Sequence, residues 1–408
     1  MSDFNIETVR SQFPALSEDQ VFLDNAGGSQ TLGTVIEAIR DYLSRNNVQL
    51  GASYKTSKLS TRRYDTGYTA GARYVNAHES DIVFGASTTQ LFRNLSFTLP
   101  FHEGDEIIVS SIDHEANIAP WVDLASRQKL VLKWWTPSLA ESSPPHDTSI
   151  NPKLTPSSLL PLLTSRTRLV ACTHASNLLG TINPIADIAA AIRAGPAPEA
   201  LFVVDAVSYA PHRPVDVLAL GVDAYAFSWY KVYGPHIAML YASSRARAQM
   251  KSLGHFFKKG ETLEEQIGLA GASYELLSGI PAVTSYLEHT TWPAIIAQEQ
   301  VLQAALLHYL TSRPDVTIYG DSKSDSQARV PTISFVVAGW KSSDVVAAIE
   351  SATNLGFRWG AFYSERLAKE QLGLGDEGVV RVSMVHYNSV AEIEKFIKAM
   401  EKYVLRRA

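Results

Sequence analysis

The 408-residue sequence predicts an α/β protein with a large domain built on a mostly parallel sheet and a smaller α+β domain at the carboxyl end. Three observations predict it. Short apolar runs alternate with helix-length amphipathic segments over most of the chain, and the texture changes near Pro293. The length, with 46% hydrophobic and 19% charged residues, suits two domains sharing large cores.

Taken in order, residues 34–45 carry a helical pattern, 81–84 an apolar strand and 88–99 a second helix. Strands follow at 106–109, 130–134, 169–171 and 201–205. The Ser- and Pro-rich stretch 137–161, with Pro144-Pro145, reads as a surface loop because alternation resumes beyond it. From Pro293 a long helix to residue 312 leads into strands at 316–319, 332–337 and 379–383, then a closing helix over 390–405. The expected division is a large domain over 16–292 and a small domain from 1–15 with 293–408.

Composition excludes several classes of function. A net charge of −5 without a basic run argues against nucleic acid and anionic membranes, so the expected partners are small molecules. No apolar stretch is long enough to span a membrane, and residues 1–7 lack a leader pattern, which predicts a cytoplasmic location. The single cysteine, Cys172, excludes an internal disulfide and any multi-cysteine metal site, and no metal is expected. It lies in a strand-like run, where a buried small residue is the ordinary reading. The glycines of residues 373–378 have dinucleotide-loop spacing, but a helix precedes and a strand follows, the reverse of what a pyrophosphate needs.

The chemistry gathers at strand ends. Asp205 closes an apolar strand, and Lys231 follows the run Ala226-Phe227-Ser228-Trp229-Tyr230. Singly, such a lysine is ordinarily solvated and such an aspartate ordinarily a turn or cap residue. Together they suit pyridoxal phosphate. The amine holds the cofactor aldehyde as a Schiff base, and the carboxylate keeps the pyridine nitrogen protonated so that the ring draws electrons from a substrate carbon. Gly85-Ala86-Ser87-Thr88-Thr89 comes directly after a strand and opens a helix, offering amides, hydroxyls and a helix dipole to a phosphate. His114 and Asn177 follow two further strands, placing an imidazole and an amide where each could meet a flat ring or a carboxylate.

The ordered set Phe22-Leu23-Asp24-Asn25-Ala26-Gly27, Ser87-Thr88-Thr89, Asp113-His114-Glu115-Ala116-Asn117, His174 to Thr181, Asp205, Pro211-His212 and Ser228-Trp229-Tyr230-Lys231 resembles class V aminotransferases. Their cysteine desulfurase-like branch is the nearest, and the resemblance runs from about Phe13 to the last helix. It implies the type I fold of pyridoxal-phosphate enzymes, with Lys231 as Schiff-base lysine, Asp205 at the pyridine nitrogen and His114 stacked on the ring. Ser87, Thr88, Thr89 and Ser228 would hold phosphate, with Ser208 and Tyr230 beside the cofactor. Asn25, Ala26, Gly27, Tyr54, Asn177, Arg358 and Phe362 would border the substrate, and the Arg381 fork would take its carboxylate. Members are typically homodimers with sites at the subunit interface.

The departures from that family matter as much. Desulfurases carry a cysteine on a small-domain loop, whereas the matching segment here, residues 358–365, has no thiol. Tyr230 stands where many members have histidine, Ser208 where they have glutamine, and Ala270-Gly271 where a Gly-Thr pair reaches the partner's phosphate, leaving Gly271 only a backbone amide to offer. These features resemble fungal secondary-metabolite branches, which include a loline-pathway pyridoxal enzyme and a ustiloxin-pathway decarboxylative aldolase. The implied activity is a ring-stabilised carbanion from an amino acid that attacks an aldehyde or imine, a Mannich or aldol type step of alkaloid or amino-acid-derived metabolism. A β-eliminating carbon–sulfur lyase, an aminotransferase and a non-catalytic metabolite-binding protein stay open as alternatives.

Overall fold

A computed structural model describes residues 4–137 and 149–405; Pro144-Pro145 lies outside them. The described strands are β1 (Val21–Phe22), β2 (Ile82–Gly85), β3 (Glu106–Ser110), β4 (Val131–Trp135), β5 (Thr167–Thr173), β6 (Leu201–Asp205) and β7 (Ala224–Ser228). They continue with β8 (Ala238–Ala242), β9 (Val316–Tyr319), β10 (Thr332–Val337), β11 (Leu355–Gly356), β12 (Arg358–Gly360) and β13 (Val379–Ser383).

Seven strands form the large sheet in the order β2-β8-β7-β6-β5-β3-β4. From β4 to β7 all neighbours are parallel, while β8 runs antiparallel to both β7 and β2. Helices cover both faces, so β3, β6, β7 and β8 are buried throughout and carry unbroken apolar runs. Alternate residues still separate cleanly. Ile108, Val170, Phe202 and Val204 enter one core cluster, and Ile107, Val109, Leu169 and Val203 enter the other. The sequence reading omits β8, whose residues Ala238–Ala242 include no β-branched side chain. It also omits the helix Lys55–Tyr74, whose Lys-, Thr- and Arg-bearing exposed side hides a buried face with Tyr64, Tyr68 and Ala72.

The smaller sheet is antiparallel, in the order β12-β13-β10-β9. Leu302, Leu306 and Leu310 of helix Trp292–Thr311, Val345 and Ile349 of helix Ser342–Glu350, and Ile393 and Phe396 of helix Val390–Tyr403 share its core cluster. The packing draws the amino-terminal boundary differently from the expected 1–15. Val9 and Phe13 belong to the large cluster, whereas Val21 and Leu23 join the small one because β1 pairs in parallel with β11. The expected loop 137–161 also contains structure. Thr155 and Ser158 form a capping box on the short helix Pro156–Leu159, and Leu154 and Leu159 are buried. Among the described residues no helix is long and apolar enough to cross a membrane.

Candidate active site

The carboxyl ends of β5, β6 and β7, the turn after β3 and the start of helix Thr88–Thr98 converge on one pocket, the crevice where open α/β sheets bind ligands. Asp205 ends β6, and the strand register sets Thr173 of β5 and Ala226 of β7 beside it. After Ser228 the chain leaves β7 in a 3-10 turn, Trp229–Lys231, which puts Tyr230 and Lys231 into the pocket. Ser87 caps helix Thr88–Thr98 by accepting the Gln90 N–H at 3.1 Å. Thr88 Oγ1 and Ser228 Oγ lie 2.8 Å apart, and with Ser87 and Thr89 they form a hydroxyl wall at the positive end of that helix.

Burial sets the charges. It lowers the Lys231 amine to a pKa of about 8, with Arg381 pulling the same way and Asp205 and Asp24 opposing. Burial raises Asp205 to about 6, although the Val207 N–H donates to its Oδ1 at 2.9 Å and Lys231 favours its ionised form. His114 is lowered to about 4 by burial and by the charges of Lys231 and Arg381, so its ring is neutral. Its Nδ1 accepts the Ala116 N–H at 3.0 Å, leaving the ring proton on Nε2. A neutral flat ring, a buried amine, a buried acid and a hydroxyl-lined helix terminus match the donor set that pyridoxal phosphate requires. Ser208 lines the same pocket, and Tyr230 stacks on His236 with ring centroids 4.6 Å apart.

A strap from the small domain, Gly360 to Ser364, closes one side. Asn177 Nδ2 donates to the Phe362 carbonyl at 2.8 Å, and its Oδ1 accepts Ser364 Oγ–H at 2.9 Å. The Glu115 N–H donates to the Tyr363 carbonyl at 2.8 Å, which brings the Tyr363 ring to 5.2 Å from His114. Phe362 and Tyr363 both hold positive φ, +53° and +61°, an uncommon conformation for aromatic residues. Arg381, on β13, is 2% exposed; its guanidinium lies 3.5 Å over the Phe362 ring, donates to the Asn177 carbonyl at 3.0 Å and pairs with Asp24 at 2.7 Å. Arg358 reaches the other Asp24 oxygen at 3.7 Å.

The remaining expected residues divide. The Asn25 side chain is committed to the protein: it donates to the Phe22 and Ser383 carbonyls and to Asn388, and accepts from the Tyr387 hydroxyl. The Ala26 N–H donates to Ser383 Oγ, and Gly27 packs against Asp24. Tyr54 is half exposed at the start of helix Lys55–Tyr74, and Gly271 lies in a different depression beside Gln49 and Leu50. Neither joins the Lys231 pocket of its own chain. Thr173, Ala116 and Val207 do line it without carrying a recognisable sequence signal. Asp113, the neighbour of His114, is a buried acid raised to about 8 by burial; Asn117 donates to its Oδ2, and its Oδ1 has no hydrogen-bond partner among the described residues. Cys172 is buried in β5, where burial pushes its thiol up.

Residues 21–396 match the family model described as aminotransferase class-V. The chain is 53% identical over 407 residues to the aminotransferase-like protein FGM3 of Gibberella zeae, covering 98% of each. It is 37% identical to the cysteine desulfurase-like protein ustD of Aspergillus flavus, covering 98% of this chain and 91% of that one. It also matches the nonribosomal peptide synthetase-like enzyme fsqF of Aspergillus fumigatus, with 40% identity over 96% of this chain and 26% of that one. The apo cysteine desulfurase from Thermococcus onnurineus NA1 has the same fold, with a TM-score of 0.87 at 26% identity over 99% of this chain and 100% of that one.

Proposed function

The chain belongs to the class-V aminotransferase family and is a pyridoxal-phosphate enzyme, and from that premise we propose that it makes a carbanion from an amino acid and joins it to an aldehyde or imine carbon. The observation that carries this reading is the strap. Sulfur transfer through a persulfide needs a thiolate at the pocket mouth, but the strap presents Phe362 and Tyr363, and the single thiol, Cys172, is buried in β5 with a raised pKa. Phe362 is buried under Arg381 and the Tyr363 ring, though exposed, lies 5.2 Å from His114, so this edge of the pocket offers aromatic carbon where sulfur transfer would need a thiol, which supports capture by a carbon electrophile.

When bound, pyridoxal phosphate supplies an electrophilic aldehyde and a ring that withdraws electrons from the substrate α-carbon. Lys231 would hold that aldehyde, and its pocket-lining amine would serve as the base toward the substrate α-carbon. Its pKa of about 8 leaves part of it uncharged near neutral pH. Asp205, with one oxygen held by the Val207 amide, would partner the pyridine nitrogen. Neutral His114 would offer its face to the ring, and Ser87, Thr88, Thr89 and Ser228 would hold the phosphate. Arg381 takes the substrate carboxylate. Gly271 and Tyr54 lie away from their own pocket, which supports a homodimer in which each subunit completes the other's site. Kinship with a nonribosomal peptide synthetase-like enzyme supports a place in fungal amino-acid-derived metabolism.

The test incubates holoenzyme with a panel of amino acids in deuterated water, with and without an aldehyde, and identifies products by mass. A product containing both carbon skeletons is expected. Keto acid with pyridoxamine phosphate would instead mean an aminotransferase, pyruvate with sulfide from cysteine a carbon–sulfur lyase, and no turnover a binding protein.

A further inference from the structure

We propose that Asp24 is a placeholder for the substrate carboxylate: it occupies Arg381 in the empty site and passes to Arg358 when substrate binds. This rests on Arg381 being the carboxylate-binding residue. Arg358 of β12 and Arg381 of β13 are direct cross-strand partners, so both project on one side of the small sheet. Both guanidiniums pack on the Phe362 ring, at 5.4 and 3.5 Å. They share a single carboxylate, with Asp24 Oδ1 at 2.7 Å from Arg381 and Oδ2 at 3.7 Å from Arg358.

The Arg381 fork is half used. Nη2 holds Asp24 and Nη1 holds the Asn177 carbonyl, but Nε is buried with no hydrogen-bond partner among the described residues. A carboxylate lying side-on across Nε and Nη2 would satisfy Nε, and because it would then share Nη2 with Asp24, repulsion between the two carboxylates favours moving Asp24 to Arg358. Asp24 has room to leave. A Cβ on Gly27 would come within 2.8 Å of Asp24 Oδ2, so the glycine keeps the space beside the carboxylate clear. Asp24, Gly27, Gly28 and Arg358 line an open cleft that Lys231 does not border. The exchange also balances charge, since two guanidiniums share the one Asp24 carboxylate and a substrate carboxylate would give each its own.

The test titrates holoenzyme with L-alanine and with ethylamine, which lacks the carboxylate, following the visible absorbance of the cofactor. The ratio of the two affinities reports the carboxylate contact alone. Asp24→Asn should raise that ratio about tenfold and Arg358→Gln should lower it about tenfold, because Asp24 then has nowhere to go. The double variant should match Asp24→Asn. A merely structural Asp24 would weaken both ligands equally and lower the thermal midpoint, and this outcome overturns the proposal. Should Asp24→Asn fail to fold, an unchanged ratio in Arg358→Gln overturns it by itself. Arg381→Lys separates the two claims. If it leaves the ratio intact, the carboxylate reading falls; if it collapses the ratio while the other variants do nothing, only the placeholder falls.

Discussion

On the floor of the pocket, Lys231 and Asp205 are buried charges with a single side-chain hydrogen bond between them among the described residues, the one from the Val207 amide to Asp205. On the rim, Asn25, Asn177 and Arg381 are equally buried, yet both ends of each amide and most of the guanidinium bond to protein groups. Burying a charge without a partner costs stability, whereas burying a satisfied amide contributes to it. The floor is therefore arranged at the fold's expense to meet a ligand, and the rim holds the two domains in register around it.

The largest break in that comparison is Lys231→Ala, expected to lower kcat by at least about a thousandfold and to abolish borohydride-sensitive visible absorbance. Stability should move the other way. Lys231 titrates at about 8 in the fold against 10.5 as an ordinary lysine, so between these values the unfolded chain holds a proton that the fold has shed. Unfolding then takes up a proton, and the stability of the cofactor-free protein rises with pH across that window, by roughly 3 kcal/mol in all. Below about 8 the penalty is fully present, and Lys231→Met should remove it, which chemical denaturation at two pH values measures.

Asp205→Asn keeps the shape and removes the buried charge, and should lower kcat by about a hundredfold while stabilising the cofactor-free fold near neutral pH, because burial raises the Asp205 pKa to about 6. A rim substitution reverses the pattern. Asn25→Ala should destabilise by about 2 kcal/mol in urea unfolding, because it strands the partners of a buried amide, while any loss of activity follows the loss of fold. The smallest effect is expected at Tyr363→Gly. Relief of a positive φ offsets the lost ring contact with His114, so the thermal midpoint should shift by the equivalent of less than about 1 kcal/mol.

The floor was legible residue by residue because each of its groups sits at a fixed point in a local pattern. Asp205 ends an apolar run, Ser87 and Thr88 open a helix after a strand, and Lys231 follows β7 by a short turn. The rim was not legible in this way. Asn25, placed beside the substrate by resemblance, has its amide tied to Phe22, Ser383 and Asn388, while Asp24 next to it faces both arginines. No pattern along the chain distinguishes these neighbours, since the partners that do, Ser383 and Asn388 for Asn25 and the two arginines for Asp24, lie more than 300 positions away. Tyr54 and Gly271 were expected at the site only through the family, and that neither lines the Lys231 pocket of its own chain is a fact of three dimensions.

The sequence by itself determined the fold class, the strand-end chemistry around Lys231 and Asp205, and the absence of a thiol in residues 358–365. These follow from apolar periodicity and residue identity, which are local. Only the tertiary structure decided that β1 pairs with β11 and packs into the smaller core, that the strap is latched by Asn177, and that Arg381 is paired with Asp24. Those are pairings between distant segments, selected because each buried donor and acceptor must find a partner once water is excluded.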